Sequence, residues 1–90
     1  MGFEWDPVKA AANSSQHGVS FDEAMTVFED PLYVDFYDPD HSQQEHRYII
    51  VGESDKGRLL MVSYTEADDT IRIISSREVT SEERKEYEEN

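Results

Sequence analysis

The sequence predicts an α+β fold: an antiparallel four-stranded sheet with a short N-terminal edge strand, two N-terminal helices on one face and a C-terminal helix. Three observations predict it. Two helix starts, Asp6-Pro7 and the capping box Ser20-Phe21-Asp22-Glu23, stand early in the chain. From Leu32 to Arg77, apolar and β-branched runs are separated by polar turns. A further capping box, Thr80-Ser81-Glu82-Glu83, opens a last helix. Strands joined by short turns pair antiparallel, and the helices pack on a face of the sheet they make. The 90 residues form one domain, 1–90.

Phe3-Glu4-Trp5 alternates apolar and polar, as a short edge strand does. Asp6 is the N-cap of the first helix and Pro7 its first residue. That helix runs to about His17 and stops at Gly18, the residue type that ends helices in the left-handed region. In the second helix Phe21, Ala24, Met25 and Phe28 share one buried face. It ends before Asp30-Pro31, because the residue before a proline avoids the helical region. Leu32 to Tyr37 reads as a strand with Leu32, Val34 and Phe36 on one face, and Asp38 to His46 as a polar loop. Strands follow at Arg47 to Gly52, Arg58 to Glu66 and Thr70 to Arg77, with turns at Ser54-Asp55-Lys56-Gly57 and Ala67-Asp68-Asp69. The terminal helix contains Arg84 and Tyr87. Leu59 to Val62, and Ile71 with Ile73 and Ile74, are apolar on both faces of the sheet. The first two helices cover one face. The other requires the terminal helix or a partner chain.

Composition narrows the function. At 37% hydrophobic residues the chain has enough apolar mass to fold. It has no cysteine, which fits a reducing cytoplasm, and its first residues lack the pattern of a signal peptide. No apolar run approaches the length of a bilayer span, so no membrane partner is expected. The formal net charge is −13 and the isoelectric point near 4.3. Such a molecule repels nucleic acid at long range and attracts basic partners, so direct DNA binding by the chain alone is not expected. His41 and His46 lie near Asp38, Asp40 and Glu45, donors suited to a divalent metal, but their spacing matches no established motif. No cofactor is expected. The hairpin from Gly57 to Arg77 holds Arg58, Arg72 and Arg77, three of only eight lysines and arginines, and is the best place for a phosphate.

A set of short segments, in order along nearly the whole chain, resembles the BrnT family, toxins of bacterial type II toxin–antitoxin systems. They begin with Phe3-Glu4-Trp5-Asp6-Pro7, Lys9, Ala10 and Asn13, then His17-Gly18-Val19-Ser20-Phe21 with Glu23-Ala24. Val27-Phe28, Asp30-Pro31, Asp40-His41-Ser42, Glu45 and Arg47 follow. Gly57-Arg58-Leu59-Leu60, Tyr64-Thr65-Glu66, Ile71-Arg72-Ile73-Ile74-Ser75, Arg77, Glu83-Arg84 and Tyr87 complete the set. The resemblance implies a RelE-like fold and a ribonuclease that cleaves RNA to block translation. It also implies inhibition by a BrnA-like ribbon-helix-helix antitoxin, with which the toxin represses its own operon. The chain departs from the pattern at Ser14-Ser15-Gln16, at Glu78 and in its acidic last helix, positions that are usually more basic. Those departures favour an alternative: a weak or inactive homologue that acts only as an antitoxin-binding, autoregulatory module.

RNA cleavage without a metal requires a base for the 2′-hydroxyl, a donor for the leaving 5′-oxygen and cations for the charge on phosphorus. Arginine suits the last role because its fork matches phosphate oxygens and stays charged. Arg58 and Arg77 are the candidates to hold the phosphate. Tyr64 would stack on a base or donate a proton, and His17 or Glu66 would act as base. A hairpin loop of two or four residues sets Tyr64 opposite Ile73 and brings Arg77 to the face of Leu60, near Arg58. A three-residue loop sets Tyr64 opposite Arg72, so Arg72 remains a candidate. Plainer roles are salt bridging for the arginines, core packing for Tyr64 and a helix C-terminal cation for His17.

Overall fold

The computed structural model describes residues 2–41 and 45–89, residue 41 by its backbone alone. The elements are β1 (Gly2–Glu4), α1 (Pro7–His17), α2 (Phe21–Thr26), β2 (Val34–Tyr37), β3 (Tyr48–Glu53), β4 (Leu59–Ala67), β5 (Thr70–Glu78) and α3 (Ser81–Glu89). Short 3-10 turns at Val27–Glu29 and Pro39–His41 follow α2 and β2. The sheet has five strands in the order β1-β5-β4-β3-β2. Strands β2 to β5 are antiparallel, as expected of strands joined by short turns. β1 departs from a purely antiparallel plan, because it joins β5 in parallel. Most of the chain separates those two strands, so no hairpin turn dictates their relative direction.

Local chemistry sets the helix ends. The Asp6 carboxylate accepts from the Val8 N–H at 2.8 Å. Gly18 closes α1 at φ 68°, and its N–H donates to the Ser14 carbonyl at 2.9 Å. The box at Thr80 is reciprocal: the Glu83 N–H donates to Thr80 Oγ1 at 3.1 Å, and the Thr80 N–H to Glu83 Oε1 at 2.8 Å. The box at Ser20 differs. Ser20 Oγ accepts from the Glu23 N–H at 3.0 Å, but the Glu23 carboxylate turns inward to Ser54 and Arg58.

The core lies on the face covered by α1 and α2. Val19, Phe21, Ala24 and Val27 pack on Ile50, Leu60, Val62, Tyr64, Ile71 and Ile73. Strand alternation sends Ile49, Val51 and Met61 to the opposite face. There α3 lies over part of the sheet without burying a residue of its own. It is tethered by the Tyr87 hydroxyl, which donates to the Leu32 carbonyl at 2.9 Å, and by the Arg77–Glu83 ion pair.

The β4–β5 hairpin decides where the arginines go. Asp68 and Asp69, at φ 52° and 65°, form a two-residue turn of the kind that matches strand twist. Tyr64 accordingly stands opposite Ile73. The register then shifts: Ser63 pairs with Ser75, leaving Ile74 as an extra residue, and Met61 pairs with Arg77. This bulge reverses the facing of everything beyond it. Arg77 therefore leaves the face of Leu60 and stands on the face of Met61. The expected cluster of Arg58 and Arg77 does not form, and a single inserted residue is the reason.

Candidate functional site

β1 pairs with β5 only as far as Arg72, so among the described residues the outer edge of β5 has no strand neighbour beyond that point. Asn13 takes the neighbour's place. Its Nδ2 donates to the carbonyls of Ser76 at 2.8 Å and Val19 at 2.9 Å, and its Oδ1 accepts from the Ser76 N–H at 3.0 Å. The buried amide thus has both donors and its acceptor engaged. His17 lies one helical turn further along the same stripe of α1, and this clamp sets it beside Ser75, Ser76 and Arg77. In the sequence Asn13 stands only among the residues of the BrnT resemblance, with no role attached to it. The available signal was its spacing from Ala10, which places a polar residue on the helix's inward stripe.

His17, Ile49, Met61, Ser63, Ser75, Ser76 and Arg77 line a cavity of about 200 Å³. The Ser76 hydroxyl is buried and, among the described residues, has no hydrogen-bond partner. Arg77 presents its fork to Glu83, with Nη1 and Nη2 at 2.8 and 3.0 Å from the two carboxylate oxygens. Nη1 also donates to the Glu78 carbonyl at 3.1 Å. Hydrogen bonding from Arg77, aided by the Thr80 N–H, holds the Glu83 carboxyl down to about 2, and the same bond raises Arg77. The cleft brings the His17 imidazole and the Arg77 guanidinium, a fork that matches phosphate oxygens, to one cavity. Ser63, Ser75 and Ser76 line the same cavity.

The other sequence-chosen residues lie elsewhere. Arg58 reaches across the helical face, where Nε donates to Glu23 Oε2 at 3.0 Å and Nη2 to the Gly18 carbonyl at 3.0 Å. The Glu23 side chain is only 2% exposed, and it also accepts from Ser54 Oγ at 2.7 Å. The Arg58 hydrogen bond holds Glu23 below the usual carboxylate range and raises Arg58 in turn. Tyr64 is in the core, stacked on Tyr48 at 5.7 Å and edge-on to Phe28 at 5.0 Å. Its hydroxyl donates to Asp35 Oδ2 at 3.2 Å, and burial, with the Asp35 charge, pushes it well up. Arg72 pairs with Glu4 of β1 at 3.7 Å. Glu66 is exposed beside the Asp68-Asp69 turn, at the far end of the hairpin from Arg77. Of the Asp38 to His46 loop, residues 42–44 and the His41 side chain lie outside the described residues. The His46 ring packs on Tyr37 at 5.7 Å. Among the described residues no three acidic or histidine side chains converge on one point.

A five-stranded sheet with α1 and α2 on one face, α3 over part of the other, and a cavity lined by His17, Arg77 and serines defines a small α+β protein. Residues 5–83 match the profile of a family described as the ribonuclease toxin of a type II toxin–antitoxin system. That family is BrnT, and the chain belongs to it. The crystal structure of the Brucella abortus ribonuclease toxin BrnT superposes with a TM-score of 0.66. It shares 19% identity and covers 90% of this chain and 99% of its own, so the two share a fold. Comparison with curated protein sequences finds no match.

Proposed function

We propose that this chain is an endoribonuclease toxin that blocks translation, works without a metal ion, and is restrained in the cytoplasm by a ribbon-helix-helix antitoxin. RNA, not DNA, is its substrate. The observation that carries the reading is the shared cleft of His17 and Arg77. His17 takes the proton of a 2′-hydroxyl, and the freed oxygen closes on phosphorus. Arg77 offsets the charge that accumulates there. The 5′-oxygen leaves with a proton from solvent, giving a 2′,3′-cyclic phosphate and a 5′-hydroxyl end. Substrate binding competes with Glu83 for the Arg77 fork.

That competition, with a net charge of −13, favours a second reading, in which the chain serves as an antitoxin-binding, autoregulatory module with weak catalysis. Incubating the purified chain with single-stranded RNA in EDTA separates the two. The toxin reading expects 5′-hydroxyl fragments that vanish when the antitoxin is added. Intact RNA beside a chain that still binds its antitoxin would establish the second reading.

Arg58 and Tyr64 serve the structure, through Glu23 and through Asp35 and Tyr48. Tyr64→Phe is expected to keep the cleavage rate within about twofold while costing about 1 kcal/mol of stability, one buried hydrogen bond. Parallel rate assays and urea melts read the two effects. A collapse in rate without loss of stability would return Tyr64 to the site.

A further inference from the structure

β2 is an edge strand with all four residues exposed. Leu32 is 76% exposed, Val34 40% and Phe36 48%, a level of exposure unusual for neighbouring large apolar side chains. Val34 and Phe36 share the face of Val51 and Ile49, away from α1 and α2. With Val51, Met61 and Tyr87 they form a groove of about 250 Å³ between the sheet and α3. A second hollow of about 320 Å³ extends it past Leu32 and Glu88. The rim is anionic. Glu83 and Glu86 edge the groove and Glu88 its extension. Asp30, which accepts from the Tyr87 hydroxyl at 3.4 Å, adds a further carboxylate beside the groove.

We infer that this groove receives a basic amphipathic helix of the antitoxin, with aliphatic side chains on the apolar floor and lysines or arginines against the acidic rim. The inference rests on the reading that an antitoxin binds this chain. Charge selects the occupant. A second copy would bring another −13 to an anionic surface, and RNA or an anionic membrane is repelled in the same way. The floor is made of side chains between a sheet face and a helix, which suits the apolar stripe of an incoming helix. The groove also shares Met61 with the His17–Arg77 cleft, and Glu83, bonded to Arg77, forms its wall. A helix seated there holds α3 down, and with it holds Glu83 on Arg77.

The test co-expresses the chain with the antitoxin encoded beside it and compares wild type with a Val34→Ser/Phe36→Ser variant. Val8→Ser, at an exposed apolar residue of α1, is the control. The double variant is expected to weaken the complex by about tenfold or more, as loss of a buried aromatic anchor does, and Val8→Ser to leave it unchanged. Thermal melts of the free variants show that both fold. Hydrogen exchange on the wild-type complex is expected to protect residues 34–37 and 83–88. Full affinity in the double variant, with protection elsewhere, overturns the docking site and leaves the antitoxin reading standing. An antitoxin that does not bind the wild type overturns both. A dimer of the chain alone that the double variant dissolves assigns the groove to a second copy and overturns the inference.

Discussion

Arg77→Ala is expected to lower RNA cleavage by about 10²-fold or more, the usual loss when a preorganised group that stabilises transition-state charge is removed. Arg77 is the one arginine of the hairpin that the bulge at Ile74 delivers to the same cleft as His17. Arg77→Lys keeps the charge but loses the planar fork, so its rate falls between wild type and alanine. Glu83→Gln separates a catalytic role for the arginine from its structural role. It frees the fork, keeps the shape of the α3 contact, and is expected to raise RNA affinity. Initial rates on labelled RNA, with growth arrest as the cellular readout, measure all three. Undiminished cleavage by Arg77→Ala would remove Arg77 from the site.

Arg58→Ala is expected to lower stability by about 3 kcal/mol, because it strands a buried carboxylate. Glu23 would keep Ser54 as a partner but lose every guanidinium contact. In a 90-residue domain with a modest core that is a large part of the total. The pair also sets the response to acid. In the native chain Arg58 depresses the Glu23 pKa, so the unfolded state binds the proton more readily. The stabilisation is complete above the ordinary value of 4.5 and is lost as pH falls below it. Glu83, held at about 2, adds the same sign between 4.5 and 2. In Arg58→Ala the largest lowering influence on Glu23 is gone. Burial then opposes its charged form against only the Ser54 bond and the Lys56 charge, so the variant loses less stability in mild acid than wild type does. Urea midpoints at pH 7 and pH 4 test both statements, and equal midpoints for wild type and variant at both values would refute them.

Much of the fold was legible because it rests on local chemistry. Asp6, Ser20 and Thr80 announce helix starts that the chain uses, and Gly18 ends α1 where a left-handed residue is needed. The turn at Asp68-Asp69 fixes Tyr64 opposite Ile73. What the sequence conceals is non-local. Nothing in the run Ile73-Ile74-Ser75 marks Ile74 as the residue that bulges, since either face would accept it. The direction of β1 depends on a partner almost 70 residues away in sequence. A capping box normally faces solvent, so Glu23 gave no sign that it would turn inward to Arg58, 35 residues on. For the site, residue chemistry alone points to Arg58 beside Arg77; the structure instead sets Arg77 in a cavity with His17 and gives Arg58 and Tyr64 partners in the interior. The clamp made by Asn13 is not legible in the sequence because it depends on the edge of β5 that β1 leaves uncovered beyond Arg72.

The most direct test is an NMR titration of the chain with a short RNA whose 2′-hydroxyls are methylated, so that it binds without being cleaved. Shifts are expected to centre on His17, Ser63, Ser75 and the Arg77 guanidinium, with Arg58 and Tyr64 unmoved. Shifts centred on Arg58 and Glu23 of α2, or on Arg72 at the β1 edge, would contradict that assignment.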